Sequence, residues 1–193
     1  MPDIFLSYRR ADAPGYVGRL ADSLEARFGD GTVFRDVDSL RGGNNWKKAL
    51  SRAISEAQLV IAIIGPQWQK LLQDRQGEEA DWVSFELNQA RALDIPVIPL
   101  VLGNAIYKPD SLPAELAWLA DVQSSALADG QGRWNPDIAR LVQDVAALTT
   151  LKPLQPEKST PAISQASQGN QSPNIDSGGG DVTINFGTEP EGD

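Results

Sequence analysis

Apolar positions in the first 150 residues alternate between two rhythms. DIFLSY (3–8) is a short apolar run that predicts a buried strand. Tyr16, Val17, Leu20, Leu24 and Phe28 then recur at helical spacing over 14–28, with Pro14 suited to a first turn and Gly29 to a stop. TVFRD (32–36) predicts a second strand. The turn-rich VDSLRGGNN leads into a helix over about 45–57, striped by Trp46, Leu50, Ala53, Ile54 and Ala57. QLVIAIIG (58–65) is almost wholly apolar, as a central parallel strand covered on both faces would be. A loop follows, then a helix beginning within EEADWVSFELNQA (78–90). IPVIPLVLG (95–103) predicts a fourth strand whose prolines mark kinks or ends. Residues 104–120 read as irregular, with one helical turn near 115–119. VQSSALA (122–128) reads as a short edge strand, and a last helix near 136–149 carries Ile138, Leu141, Val142, Val145 and Leu148.

Five strand–helix alternations predict an α/β domain over 1–151, an open, mostly parallel sheet with helices on both faces. Ligands of such sheets bind outside the carboxyl ends of the strands. Those ends carry Ser7, Tyr8 and Arg9, then residues 36–43, then 65–68. From Lys152 the composition turns to Pro, Ser and Gln, which predicts a disordered linker over 152–176. Residues 177–193, SGGGDVTINFGTEPEGD, alternate Val182, Ile184 and Phe186 with polar residues between glycines, a single strand's pattern.

One helix position breaks its pattern. At about 100° per residue, Glu86 falls about 40° from Trp82, between Leu93 at about 20° and Ala90 at about 80°. Val83 extends that apolar arc, and Ser84, Asn88 and Arg91 take the far side. An inward carboxylate is costly unless it is paired or used. It could pair with Arg9 or Lys47, or sit at the edge of the helix. Trp82, one turn earlier, could be core. Together the two could instead form an aromatic wall beside a carboxylate, suited to a sugar or nucleoside.

The composition narrows the chemistry. The 193 residues contain no histidine and no cysteine. Ser-His-Asp triads, thiolate nucleophiles and the usual His or Cys metal sites are thereby excluded, and no metal site is expected. The formal net charge of −9 argues against nucleic acid or an anionic membrane as partner. No apolar run is long enough to span a membrane and no signal-peptide pattern opens the chain, so a cytoplasmic location is expected. The glycines of GTVFRDVDSLRGGNNWKKA (31–49) fit neither G-x-x-x-x-G-K-[ST] nor G-x-G-x-x-G. That stretch is either an exposed loop ending in a cap at Asn44 or Asn45, or a mobile interaction loop. Arg9 and Arg10 could hold a pyrophosphate by forked hydrogen bonds, or pair with acids such as Asp12 or Asp36. A receiver-type phosphorylation site fails on residues: the first strand ends Ser7-Tyr8-Arg9-Arg10 and the third Gly65-Pro66.

DIFLSYRRAD resembles the opening strand of Toll/interleukin-1 receptor (TIR) domains, and VFRDVDSLRGGNNW their second strand and BB loop. AISEAQLVIAIIGPQW resembles their third strand, and DWVSFELNQARALDIPVIPLVL the helix bearing the family glutamate with the fourth strand. The four blocks fall in order within about 1–150 and are similar to the bacterial branch, where FLSYRR and W-x-x-x-E are frequent. The resemblance implies a flavodoxin-like sheet of order 2-1-3-4-5. It also implies cleavage of NAD+ between nicotinamide and ribose, sometimes with cyclisation, NAD+ being substrate and no cofactor being needed.

The family's catalytic glutamate falls on Glu86. Its pocket falls on Trp82, Ser7, Tyr8, Arg9, Arg10 and Asp36. Its self-association loop falls on Val37, Asp38, Ser39, Leu40, Arg41, Gly42 and Gly43, so other TIR domains are expected partners. Ala80 departs from relatives that carry serine near this point. The chemistry suits a chain without histidine: nicotinamide leaves ribose as a neutral molecule, so no general acid is required. Two alternatives remain: an adaptor that only assembles, and a nucleoside deoxyribosyltransferase-like enzyme. The tail over 177–187 is expected to dock an upstream activator, with the linker as tether.

Overall fold

The computed structural model describes residues 2–35, 46–74, 81–128, 132–154, 174–178 and 181–185. Asp36, residues 37–43, Asn44, Asn45 and Ala80 lie outside them, as does Phe186. Residues 1–154 and 155–193 are two separate compact units.

The first unit runs β1 (Ile4–Ser7), α1 (Pro14–Phe28), β2 (Val33–Phe34), α2 (Trp46–Glu56), β3 (Leu59–Ile64), α3 (Trp68–Asp74), α4 (Trp82–Ala92), β4 (Val97–Leu102), β5 (Ser125–Leu127) and α5 (Trp134–Leu148). Its five strands are all parallel, in the order β2-β1-β3-β4-β5. This is the sheet order that the resemblance implies.

Strand parity sorts the core into two layers. Ile4 and Leu6 of β1, with Leu59, Ile61 and Ile63 of β3, pack on the α1 and α5 side against Leu20, Leu24 and Leu141. Phe5, Val60, Ala62 and Ile64 face the other way, toward Leu50, Ile54, Trp68, Leu72, Val83 and Leu87 of α2, α3 and α4. Removing one such fully buried Leu or Ile side chain costs about 2–5 kcal/mol. Ser7 shares the parity of Phe5 and therefore points toward the α4 layer.

Pro99 lies inside β4, opposite Ala62 of β3. The Pro96 carbonyl accepts from the Val60 N–H at 3.0 Å, which turns the even-numbered residues of β4 toward β3. Pro99 faces the β5 side, where pairing begins only at Leu100. Its missing N–H therefore removes no ladder bond to β3.

Three expectations are corrected. Residues 68–74, read as loop, form α3, held by the buried Trp68 and Leu72. The stretch from 104, read as irregular but for one turn near 115–119, contains two 3₁₀ segments, Pro109–Ser111 and Ala114–Asp121. The Glu86 helix begins at Trp82, inside the expected 78–90 stretch, where the Asp81 side chain caps it by accepting from Ser84 N–H. In the second unit the expected single strand is an antiparallel pair, β6 (Asn174–Gly178) with β7 (Asp181–Asn185), so strand structure reaches back into the stretch read as linker.

Candidate functional site

The carboxyl ends of β1 and β3 and the first turn of α4 share one rim of the sheet. On α4 the buried residues are Val83, Ser84, Glu86, Leu87 and Ala90. Leu93, counted in the apolar arc from sequence, is 48% exposed just past the helix end. The buried arc is thus centred further round, on Val83, Ala90 and Leu87, and Glu86 stands at its edge facing β1.

Glu86 is only 4% exposed. Its Oε2 accepts a 2.6 Å hydrogen bond from the hydroxyl of Ser7, which is fully buried at the end of β1. Burial pushes the Glu86 carboxyl up to about 8; the Ser7 hydrogen bond opposes the rise, the nearby Asp81 charge adds to it and Arg9 opposes it. At neutral pH the resting carboxyl is therefore mostly protonated.

Arg9 pairs with neither Glu86 nor Asp12. Its Nη1 and Nη2 donate to Asp81 Oδ1 and Oδ2 at 2.7 and 2.8 Å, a bidentate fork with both side chains under a tenth exposed. Asp81 Oδ2 also accepts from the Ser84 N–H at 3.0 Å and from its hydroxyl at 2.7 Å. This explains why Ser84, placed on the polar face from sequence, is buried. Burial raises the Asp81 carboxyl, but the Arg9 fork and the Ser84 hydrogen bonds outweigh it and the net shift is downward. Two carboxyl groups five positions apart are thus driven in opposite directions, an arrangement that separates charge-holding from proton-binding roles.

The remaining expected residues spread along the rim. Trp82 is half-buried, packs edge-on to Phe85 at 5.8 Å, and has the Lys47 ammonium 5.2 Å from its ring centroid. The Tyr8 hydroxyl donates to the Arg35 carbonyl at 2.9 Å, tying the end of β1 to the end of β2. Arg10 is exposed. The structure thus brings together Ser7, Arg9 and Glu86, with Trp82 one turn before the glutamate.

Sequence reasoning missed two parts of this site. Asp81 carried a usable signal: an aspartate before an apolar pair, with a small polar residue three positions on, marks a helix N-cap. The second part is Asp12, whose Oδ1 accepts from the Gln67 N–H at 2.7 Å. Its carboxylate lies where a side chain on Gly65 would be: an added Cβ would meet its atoms at 2.5–2.8 Å. The Asp12 N–H donates to the Arg9 carbonyl at 2.9 Å, so the turn that carries Arg9 is tied to the end of β3.

A sequence model of the TIR-domain family matches residues 4–142. Among solved structures, the chain is similar to the TIR domains in the activated Roq1 resistosome that directly recognises the pathogen effector XopQ. The TM-score is 0.53 at 17% identity, covering 75% of this chain and 99% of that one. A comparison with curated proteins gives no match.

Proposed function

Because the chain belongs to the TIR-domain family, we propose that it is an NAD+ glycohydrolase with Glu86 as its catalytic carboxylate. The observation that carries this reading is the buried Glu86 carboxyl, bonded to Ser7 at 2.6 Å, at the ligand-binding rim of a parallel sheet.

Cleavage breaks the bond between ribose C1′ and the nicotinamide nitrogen. The bonding pair leaves with nicotinamide and neutralises its pyridinium charge, while positive charge develops on the ribose. A nearby carboxylate opposes that charge in a site that excludes water, where electrostatic stabilisation is strongest. It also accepts hydrogen bonds from ribose hydroxyls, taking them in place of the one Ser7 supplies at rest. Water then adds at C1′ and loses a proton; attack by an internal adenine nitrogen gives a cyclic product instead. Trp82 supplies an apolar wall beside the glutamate. The cationic substrate itself favours ionised Glu86, so binding and activation of the carboxylate are coupled.

The same rim serves a TIR domain that works by assembling. The similar TIR domains belong to an activated resistosome, which supports TIR–TIR contact as part of activation in a defence or signalling response. The near-complete burial of Glu86 favours one competing reading, an adaptor that assembles without turnover. Incubating concentrated protein with NAD+ and following nicotinamide against time decides between them. Steady release by wild type, absent in Glu86→Gln, is expected. No release at any protein concentration would leave the adaptor.

A further inference from the structure

Two short polar links join the end of β1 to the start of α4. One is Ser7 to Glu86; the other, two residues further along β1's exit, is Arg9 to Asp81. Among the described residues, Val83, Leu87 and Ala90 of α4 supply the apolar part of its packing on the sheet. Apolar contact is non-directional and tolerates small sliding and rotation. A bidentate fork is directional. Asp81 is fixed from its other side as well, since the same carboxylate caps α4 through Ser84. Both terminal nitrogens of Arg9 are engaged, and its Nε is buried without an acceptor. An arginine held in this way is poorly placed to grip a phosphate.

We propose that Arg9 and Asp81 are positioning residues whose fork fixes the first turn of α4 against the end of β1 and thereby sets where the Glu86 carboxyl sits. This rests on the glycohydrolase reading only in giving that position a purpose. It reassigns Arg9 from contact with the substrate to support of the residue that makes it. The two charges of the pair also act on Glu86 in opposite senses.

The test is a ¹³C NMR titration of the Glu86 carboxyl in the full-length protein, identified by its loss in Glu86→Gln, alongside nicotinamide release. Arg9→Lys keeps the charge and removes the fork. If the fork positions Glu86, the carboxyl becomes more hydrated. Its midpoint then falls by about one pH unit or more toward the ordinary carboxyl range. With NAD+, kcat falls about tenfold or more while KM changes little, as misplacement of a catalytic group dictates. An unchanged midpoint in a folded Arg9→Lys protein overturns the proposal, and so does a rise. Should Arg9→Lys fail to fold, the double variant Arg9→Gln/Asp81→Asn decides by the same criterion. It removes both opposing charges and retains an acceptor at the cap.

The titration does not depend on turnover. A wild-type protein that releases no nicotinamide defeats the glycohydrolase reading and still leaves the positioning role decided by the midpoint. Normal turnover with an unchanged midpoint in Arg9→Lys defeats the positioning role alone.

Discussion

A carboxyl group held near pH 8 by burial makes the fold and the chemistry pull against each other at one residue. The folded state binds the Glu86 proton more tightly than the unfolded chain does. Its stabilising contribution is therefore full below the ordinary value of 4.5 and is lost as pH rises toward about 8. Glutamine is a near copy of the protonated side chain. Glu86→Gln is expected to raise Tm by about 5 °C or more at pH 9 and by less than about 2 °C at pH 5, read by calorimetry. An equal shift at both pH values would show that Glu86 is not titrating in this window. The same residue sets the expected pH profile of turnover. Since the ionised form opposes the developing charge, kcat/KM should climb through about pH 8, and kcat should climb at lower pH because the bound pyridinium favours ionisation. A profile flat from pH 6 to 9 counts against Glu86 as the group that ionises. Glu86 was legible in the sequence as an acid inside an apolar arc, and Ser7 as a residue at the carboxyl end of the first strand. The Arg9 partner was not legible, because choosing among Asp12, Asp36 and Asp81 needs the distance between loops 72 residues apart.

Among the elements, the five strands and the helices with long apolar stripes were readable because each buries a face with its own period. The seven-residue α3 was missed because two buried residues, Trp68 and Leu72, do not establish a helical rhythm within so short a span. The three-residue 3₁₀ segment Pro109–Ser111 escaped for the same reason, while Ala114–Asp121 was legible only as one helical turn near 115–119. What no periodicity reports is close approach between turns, and Gly65 is the instance. The Asp12 carboxylate occupies the space of a Gly65 side chain while it anchors the turn after β1 to the Gln67 N–H. Gly65→Ala should push Asp12 away, break that bond and destabilise the first unit by about 1–3 kcal/mol. Because the clash needs both partners, Gly65→Ala/Asp12→Ala should be destabilised by less than the sum of the single variants. Urea denaturation of the four proteins measures the coupling. Additive losses would mean that Gly65 is needed for its backbone alone. The loosened turn carries Arg9, so the single Gly65 variant should also lose activity, more than its stability loss at 25 °C accounts for.

At the scale of the whole chain, a family domain is joined to a much smaller second unit. Residues 37–43 are the segment that the resemblance ties to self-association. Charge reversal, Arg41→Glu, is therefore expected to move nicotinamide release to higher protein concentration, and release by wild type should grow faster than linearly with concentration. Strict proportionality for both proteins would remove assembly from the activation step. The second unit poses a different question. Its antiparallel pair matches Ile175 with Ile184 and Ser177 with Val182. Two strands alone are at most marginally stable in water and gain stability from a third strand or an apolar cover. Pairing with an edge of another copy or of an activating protein would supply that, main chain to main chain, with little demand on sequence. Among the described residues, both buried layers of the first unit are built from positions within 4–151. Deleting 155–193 should therefore leave Tm within about 2 °C of the full chain. At high concentration it should leave kcat unchanged. Assembly, followed by sedimentation velocity, should require several-fold more truncated protein, and the onset of nicotinamide release should shift with it. If full-length and truncated chains assemble and turn over at the same concentrations, the strand pair contributes nothing to self-association. Its edge is then left for a partner of different sequence, which pull-down with the isolated 155–193 segment fused to a carrier would retain and a Val182→Asp/Ile184→Asp version would release.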